Sequence, residues 1–254
     1  SKKSTRVYLK DADKVNYNGT DCYSFKCRVN AAEMTKKVNA VLHCNDWTGQ
    51  TYSYSVYDYA SKILAEPESS EYKSSAPLIK AMLNYGGYVQ TYFNEKTDAL
   101  ANKGLYNKTN DPVLTTNTTV SKDYNYAVFN NSIGVSFIGG SLVLNSGTDL
   151  KLYYSMDDQN MANNINVSVN GQNVAPEYDG NIMCVRVPDI SISSLGDTYN
   201  VKISVNGKEV NQKYIAMTYM YKALNSQNSN TKLNNVVKAL YLYNEAAKQY
   251  SMGN

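Results

Sequence analysis

Leu78 to Phe93 reads LIKAMLNYGGYVQTYF, and near its end the chain repeats the theme, with VVKALYLYNEAAKQY from Val236 to Tyr250. A shift of 158 positions lays Tyr85 on Tyr243, and with it Lys80 on Lys238, Ala81 on Ala239 and Tyr92 on Tyr250. Upstream, a shift of 160 lays Tyr54, Tyr59, Lys62 and Leu64 on Tyr214, Tyr219, Lys222 and Leu224, while Arg28-Val29 meets Arg186-Val187 again at 158. Shared order over both halves marks a duplicated unit, and every other segment is read against that period.

Working outward, each copy of the pattern ends in two helices. Val56 to Ala65 carries Val56, Tyr59, Ala60 and Ile63 on one face and is closed by Pro67;. The helix begun by Ser75 and Pro77 has two apolar stripes, the signature of burial on most sides. Its Gly86-Gly87 pair costs about 1 kcal/mol per glycine relative to alanine, which points to close packing of another backbone there. Thr97 to Leu105 is a further short helical stretch by pattern, and the second copy supplies helices over about 215–224 and 232–250.

Ahead of each helical pair lie short alternating runs. In the first half these are TRVYLKDAD, DCYSFKCRVN, KKVNAVLHCND and GQTYSYSV, with Asn18-Gly19 as a hairpin signal and Ala31 to Lys36 as a helical turn between them;. The second half reads YAVFN, GVSFIG, SLVLNS, TDLKLYYS, INVSVN, NVAPEYD, NIMCVRV and YNVKISVN, punctuated by Gly139-Gly140, Ser146-Gly147, Asn170-Gly171, Asp179-Gly180 and Asn206-Gly207;. The expected fold is α+β: two pseudo-repeated lobes, each an antiparallel immunoglobulin-like β-sandwich followed by a helical hairpin, with a cleft between them. The boundaries are residues 1–105, a polar connection over 106–123, and 124–254.

Composition narrows the function. The 25 basic and 22 acidic side chains are interspersed, without the basic stripe a nucleic-acid binder needs;. No apolar run approaches the roughly 18 residues that span a bilayer, so membrane insertion is not expected. The chain opens on Ser1-Lys2-Lys3 rather than a signal peptide and is expected to be part of a larger multi-domain protein;. Cys22, Cys27, Cys44 and Cys184 show no zinc spacing;. Alternation places Cys27 with Phe25 and Val29, and Cys44 with Leu42, on inward phases that allow a contact, reduced or bridged; Cys22 and Cys184 fall on the polar phase as single thiols.

The search for catalytic groups finds little. His43 is the single histidine, and there is no Gly-x-Ser-x-Gly, Walker loop or Gly-x-Gly-x-x-Gly;. Asp11 and Asp13 open like a calcium loop that Val15 then breaks. Asp46, Asp157, Asp158 and Asp179 are read as turn residues, although two of them at glycosidase spacing would make an enzyme acting on polysaccharide. Neither a cofactor nor a metal is expected. The unusual number is 24 Tyr against 4 Phe and 1 Trp. Tyrosine joins an apolar face to a hydroxyl, which suits wet, amphipathic ligands as well as core edges. Trp47, read as part of the turn Asn45-Asp46-Trp47-Thr48-Gly49, is either a stacking plate for a pyranose ring or a cap folded on the second helix. The candidate ligand-binding residues are Trp47, Asn45 and Asp46 with Tyr52, Tyr54, Tyr153, Tyr154, Tyr178 and Tyr214.

YSVYDYASKIL, LIKAMLNYGGYVQTYF, SLVLNSGTDLKLYY and VVKALYLYNEAAKQY resemble a duplicated module of secreted surface proteins of Gram-positive gut bacteria that pairs β-sandwich lobes with helical hairpins. Within that group the chain is similar to bilobed starch-binding domains of amylosome starch-adherence proteins. The resemblance implies a secreted or cell-surface, non-catalytic carbohydrate-binding module for starch, whose groove holds α-1,4-glucan or malto-oligosaccharide. The alternative is a structural or adhesion module that binds a protein or host glycan.

Overall fold

The computed structural model describes residues 4–124, 129, 133–145, 147–227 and 230–253, and shows a mixed α/β chain with antiparallel sheets. Its first half contains two separate hairpins, β1 (Asp13–Tyr17) with β2 (Thr20–Ser24) and β3 (Val38–Cys44) with β4 (Trp47–Tyr54). Helices α1 (Val56–Ala65) and α2 (Ala76–Phe93) follow, then the short α3 (Pro112–Thr115).

The second half has eight strands: β5 (Val135–Leu142), β6 (Leu150–Met156), β7 (Ile165–Val169), β8 (Gln172–Val174), β9 (Glu177–Asp179), β10 (Ile182–Val187), β11 (Thr198–Val205) and β12 (Lys208–Ile215). They form two four-stranded sheets, in the orders β5-β6-β10-β9 and β12-β11-β7-β8. The chain ends in α4 (Ala216–Leu224) and α5 (Thr231–Gly253).

Alternation is visible in the sheets of the second half, although GVSFIG and the start of SLVLNS run on as the single strand β5 through Gly139-Gly140, and β12 is not among the expected runs. Leu150, Leu152, Tyr154 and Met156 of β6 are buried in strict every-other order, and so are Val201, Ile203 and Val205 of β11;. The two inner faces meet through aromatic rings, Phe137 lying 5.3 Å from Tyr154 and 5.7 Å from Tyr214 between centroids;. Tyr154 Oη donates to Gln212 Oε1 at 2.6 Å across the sheets.

The expected first sandwich is a correction. Among the described residues its strands form only the two two-stranded hairpins, and nearly all of their side chains are exposed or half-buried. Two strands have no second sheet to pack against, so the apolar phase of the alternation finds no core. The strand expected from Thr5 starts only at Asp13, after a 3-10 turn over Leu9–Asp11. Trp47 is the first residue of β4 rather than a turn residue, and no regular helix forms over Thr97 to Leu105. The strand expected over Tyr126 to Asn130 lies outside the described residues, apart from Phe129.

Segments that the sequence repeat sets in parallel share local geometry. In both halves a 3-10 turn, Ala31–Glu33 or Ile192–Ser194, precedes a hairpin that leads directly into a helix. The Tyr57 N–H donates to the Met34 carbonyl at 2.9 Å, and its counterpart, the Met217 N–H, donates to the Leu195 carbonyl at 3.0 Å. Helices α2 and α5 pack along each other, and the equivalent rings of Tyr85 and Tyr243 meet at 6.0 Å. Contact between equivalent residues is what a pseudo-twofold interface requires.

The polar stretch from Tyr106 to Asp123 is tied to α2 through Asp111. Buried Asp111 accepts from Asn84 Nδ2 at 3.0 Å and from Tyr88 Oη at 2.6 Å while capping α3 through the Val113 N–H. Gln90 holds the preceding loop in the same way, accepting from the Ala101 N–H and donating to the carbonyls of Lys96 and Ala99. Burying these polar groups is tolerable because each meets a partner.

Candidate functional site

The exposed hairpin β3–β4 is the surface that calls for an explanation. Its ladder sets Val38 opposite Tyr54, Ala40 opposite Tyr52 and Cys44 opposite Trp47. Side chains on a strand alternate between faces, so Ala40, Leu42, Cys44, Trp47, Tyr52 and Tyr54 share one face. Four of these are large and exposed: Leu42 at 57%, Trp47 at 57%, Tyr52 at 63% and Tyr54 at 51%. The opposite face is mostly polar, and there His43 Nδ1 lies 3.0 Å from Thr48 Oγ1. The register shifts between Val41 and His43, so a bulge sits beside the aromatic end;. Gly49 allows the indole to lie close, since a Cβ there would stand 2.7 Å from the ring of Trp47. Trp47 therefore does not cap the second helix.

Asn45 and Asp46 form the turn at the end of this face. Asn45 is in the left-handed region with φ 51°, as is its counterpart Asn206 with φ 50°, so the backbone of the tight turn accounts for an asparagine at this position;.

The other candidates divide. Tyr154 and Tyr214 are sealed in the core of the second sandwich, at 0% and 1% exposure, and cannot touch a ligand. Burial raises both phenol pKa values, that of Tyr214 to about 12;. Tyr178 on β9 is exposed at the edge of its sheet, and half-buried Tyr153 points to the opposite side of β6 from Tyr154. The structure thus brings Trp47, Tyr52, Tyr54, Asn45 and Asp46 together on one hairpin. It leaves Tyr153, Tyr154, Tyr178 and Tyr214 on the second sandwich.

Two surface hollows lie elsewhere. One of about 430 Å³ is lined from the second half, including Ile133, Asp158, Asn160 and Lys208. The other, of about 270 Å³, is lined from the first, between α1, α2 and Lys103 to Leu105. Neither contains a candidate residue.

Three carboxylates, Asp158, Asp58 and Asp149, have structural duties. Asp158 accepts from the Asn160 N–H at 2.9 Å, and Asp58 forms a capping box with Ser55 at the start of α1;. Asp149 is buried in the β5–β6 connection, where it accepts from Arg186 Nε at 2.8 Å and from the Asp189 N–H at 2.9 Å. Burial opposes ionisation of Asp149, but the Asp189 N–H and the Arg186 guanidinium outweigh it and hold the carboxyl below its ordinary range;. Among the described residues no three of His, Cys, Asp and Glu are grouped to hold a metal, and no helix is long and apolar enough to cross a membrane.

All four cysteines are free. Cys27 and Cys44 are exposed although their phases are apolar, and Cys184 is buried although its phase is polar. Leu42, Ala40 and Phe25 are the surface residues that sequence reasoning passed over, because it counted their phase as core. Comparison of the chain with protein-family models, curated proteins and solved structures finds no match.

Proposed function

We propose that this chain is a non-catalytic structural and adhesion module that binds polypeptide through the open face of β3–β4. The observation that carries the reading is the contrast between equivalent faces, one a closed core in the second half and the other open to water in the first. Exposed apolar sheet faces beside free strand edges suit polypeptide strands, which offer backbone hydrogen bonds at the edge and side chains for the face. A secreted or cell-surface setting within a larger protein accords with this role.

Starch binding is the second reading, favoured by Trp47, Tyr52 and Tyr54 standing exposed beside Asn45 and Asp46. Aromatic plates next to polar groups suit a glucose ring, and a few such contacts give affinities around the micromolar range. Without Tyr154 and Tyr214 the plates reduce to one hairpin, and the expected two-lobed groove loses its far wall.

Affinity electrophoresis separates the readings. The chain and its Trp47→Ala variant are run in native gels cast with amylopectin, xylan, glucomannan or β-glucan. Unchanged mobility in every gel is the expected result. Retardation by amylopectin that Trp47→Ala abolishes would overturn the polypeptide reading in favour of starch.

A further inference from the structure

The second half shows what covers the equivalent of the open face. Tyr199 pairs with Tyr214 as Val38 pairs with Tyr54, so Ala40, Leu42 and Cys44 correspond to Val201, Ile203 and Val205, and Tyr52 and Tyr54 to Gln212 and Tyr214. All five counterparts are buried, at 6% exposure or less. Their cover is the β5–β6 layer: Phe137 packs on Tyr214, Tyr154 bonds to Gln212, and Gly140 lets the Tyr214 hydroxyl approach to where a Cβ would stand only 2.5 Å away.

Two further observations point the same way. Strand β11 is paired on both edges, with β12 and β7, whereas among the described residues β3 is paired only with β4. Phe25 and Cys27, the counterparts of the fully buried Met183 and Val185, are exposed. Arg186 binds a carboxylate of the covering segment, Asp149, but its counterpart Arg28 reaches across the molecule to Asp189 at 2.7 Å. Face, edge and arginine each lack the same neighbour.

We propose that the first half is completed by a polypeptide segment with the strand pattern of β5 to β8, residues 135–174. This rests on the polypeptide reading above and names the occupant of that face. The segment pairs along the open edge of β3, buries Leu42, Tyr52, Tyr54 and Phe25 under an apolar phase of its own, and presents a carboxylate to Arg28.

The probe is a fusion that places a second copy of residues 133–176 ahead of the full chain through a flexible linker. Its control carries Leu152→Asp and Tyr154→Asp in the appended copy alone. Maleimide labelling located by mass spectrometry reads the exposure of Cys27 and Cys44, the counterparts of Val185 and Val205. In the fusion both thiols are expected to slow by about tenfold or more relative to the unfused chain, and to stay fast in the control. Thiols that react equally fast in fusion and unfused chain overturn the proposed occupant. A parallel selection of displayed random peptides on the unfused chain, with Leu42→Asp as counter-target, separates the two levels. Peptides lost on Leu42→Asp without protection in the fusion keep the polypeptide reading and reject the β5–β8 pattern; neither peptides nor protection rejects both. Thiol protection by amylopectin alone would also overturn the proposal, in favour of a glucan ligand.

Discussion

Single residues show how the same chemistry takes opposite roles in the two halves. Tyr214 and Tyr54 occupy equivalent ladder positions, yet one is sealed between sheets and the other stands in water. Tyr214→Ala should therefore cost about 3–5 kcal/mol, as large-to-small core changes do, whereas Tyr54→Ala should leave the thermal midpoint nearly unchanged. Paired thermal melts measure the difference. Asp149 supports a pH prediction. Its folded pKa lies below the unfolded value near 4, so its stabilisation is present above about pH 4 and fades as pH falls through the folded pKa;. Asp149→Asn should destabilise at pH 7 by about 1–3 kcal/mol, and the gap to the parent should close below pH 4 in denaturant titrations. A gap that widens in acid would contradict this assignment.

At the scale of elements, α2 and α5 hold the two halves together. The glycine pair of α2 is explained by close approach: a Cβ on Gly86 would stand 2.7 Å from Met34 Sδ, and one on Gly87 would stand 2.0 Å from Asn102 Oδ1. Gly87→Ala forces Asn102 out of its bond to Asn84 and should destabilise by about 1–3 kcal/mol, although alanine favours helix elsewhere;. An increase in stability on urea titration would contradict that packing. Tyr85 Oη donates to the Leu144 carbonyl at 2.5 Å, so Tyr85→Phe removes a bond between the halves and should cost about 1 kcal/mol by the same measurement;. These helices were legible in the sequence because the 3.6-residue stripes and, for α2, Pro77 are local signals, although Ser75 makes no side-chain cap bond. The sheets of the second half were legible for a similar reason, through alternation and Asn-Gly turns. What alternation cannot give is the partner: LKLYYSM places Tyr153 and Tyr154 on opposite faces without saying which face is covered. It likewise marks Leu42, Cys44, Phe25 and Cys27 as inward, although among the described residues these side chains stay exposed. The position of Trp47 was misjudged because the turn closes in two residues, Asn45 and Asp46, and the indole begins the next strand.

For the whole molecule, the second half holds two four-stranded sheets and the first half, among the described residues, two separate hairpins, with α2 and α5 packed along each other. The candidate surface was half legible: Trp47, Asn45, Asp46, Tyr52 and Tyr54 share a hairpin, but the expected partners across a groove belong to the second sandwich. The central claim is that β3–β4 is an uncovered counterpart of β11–β12, and hydrogen exchange on the unaltered chain, followed peptide by peptide, tests it most directly. A two-stranded hairpin without a core is marginal, so amides of residues 38–54 should exchange within seconds to minutes, while those of residues 198–215 should stay protected for hours. Equal, long-lived protection of both hairpins would contradict the account.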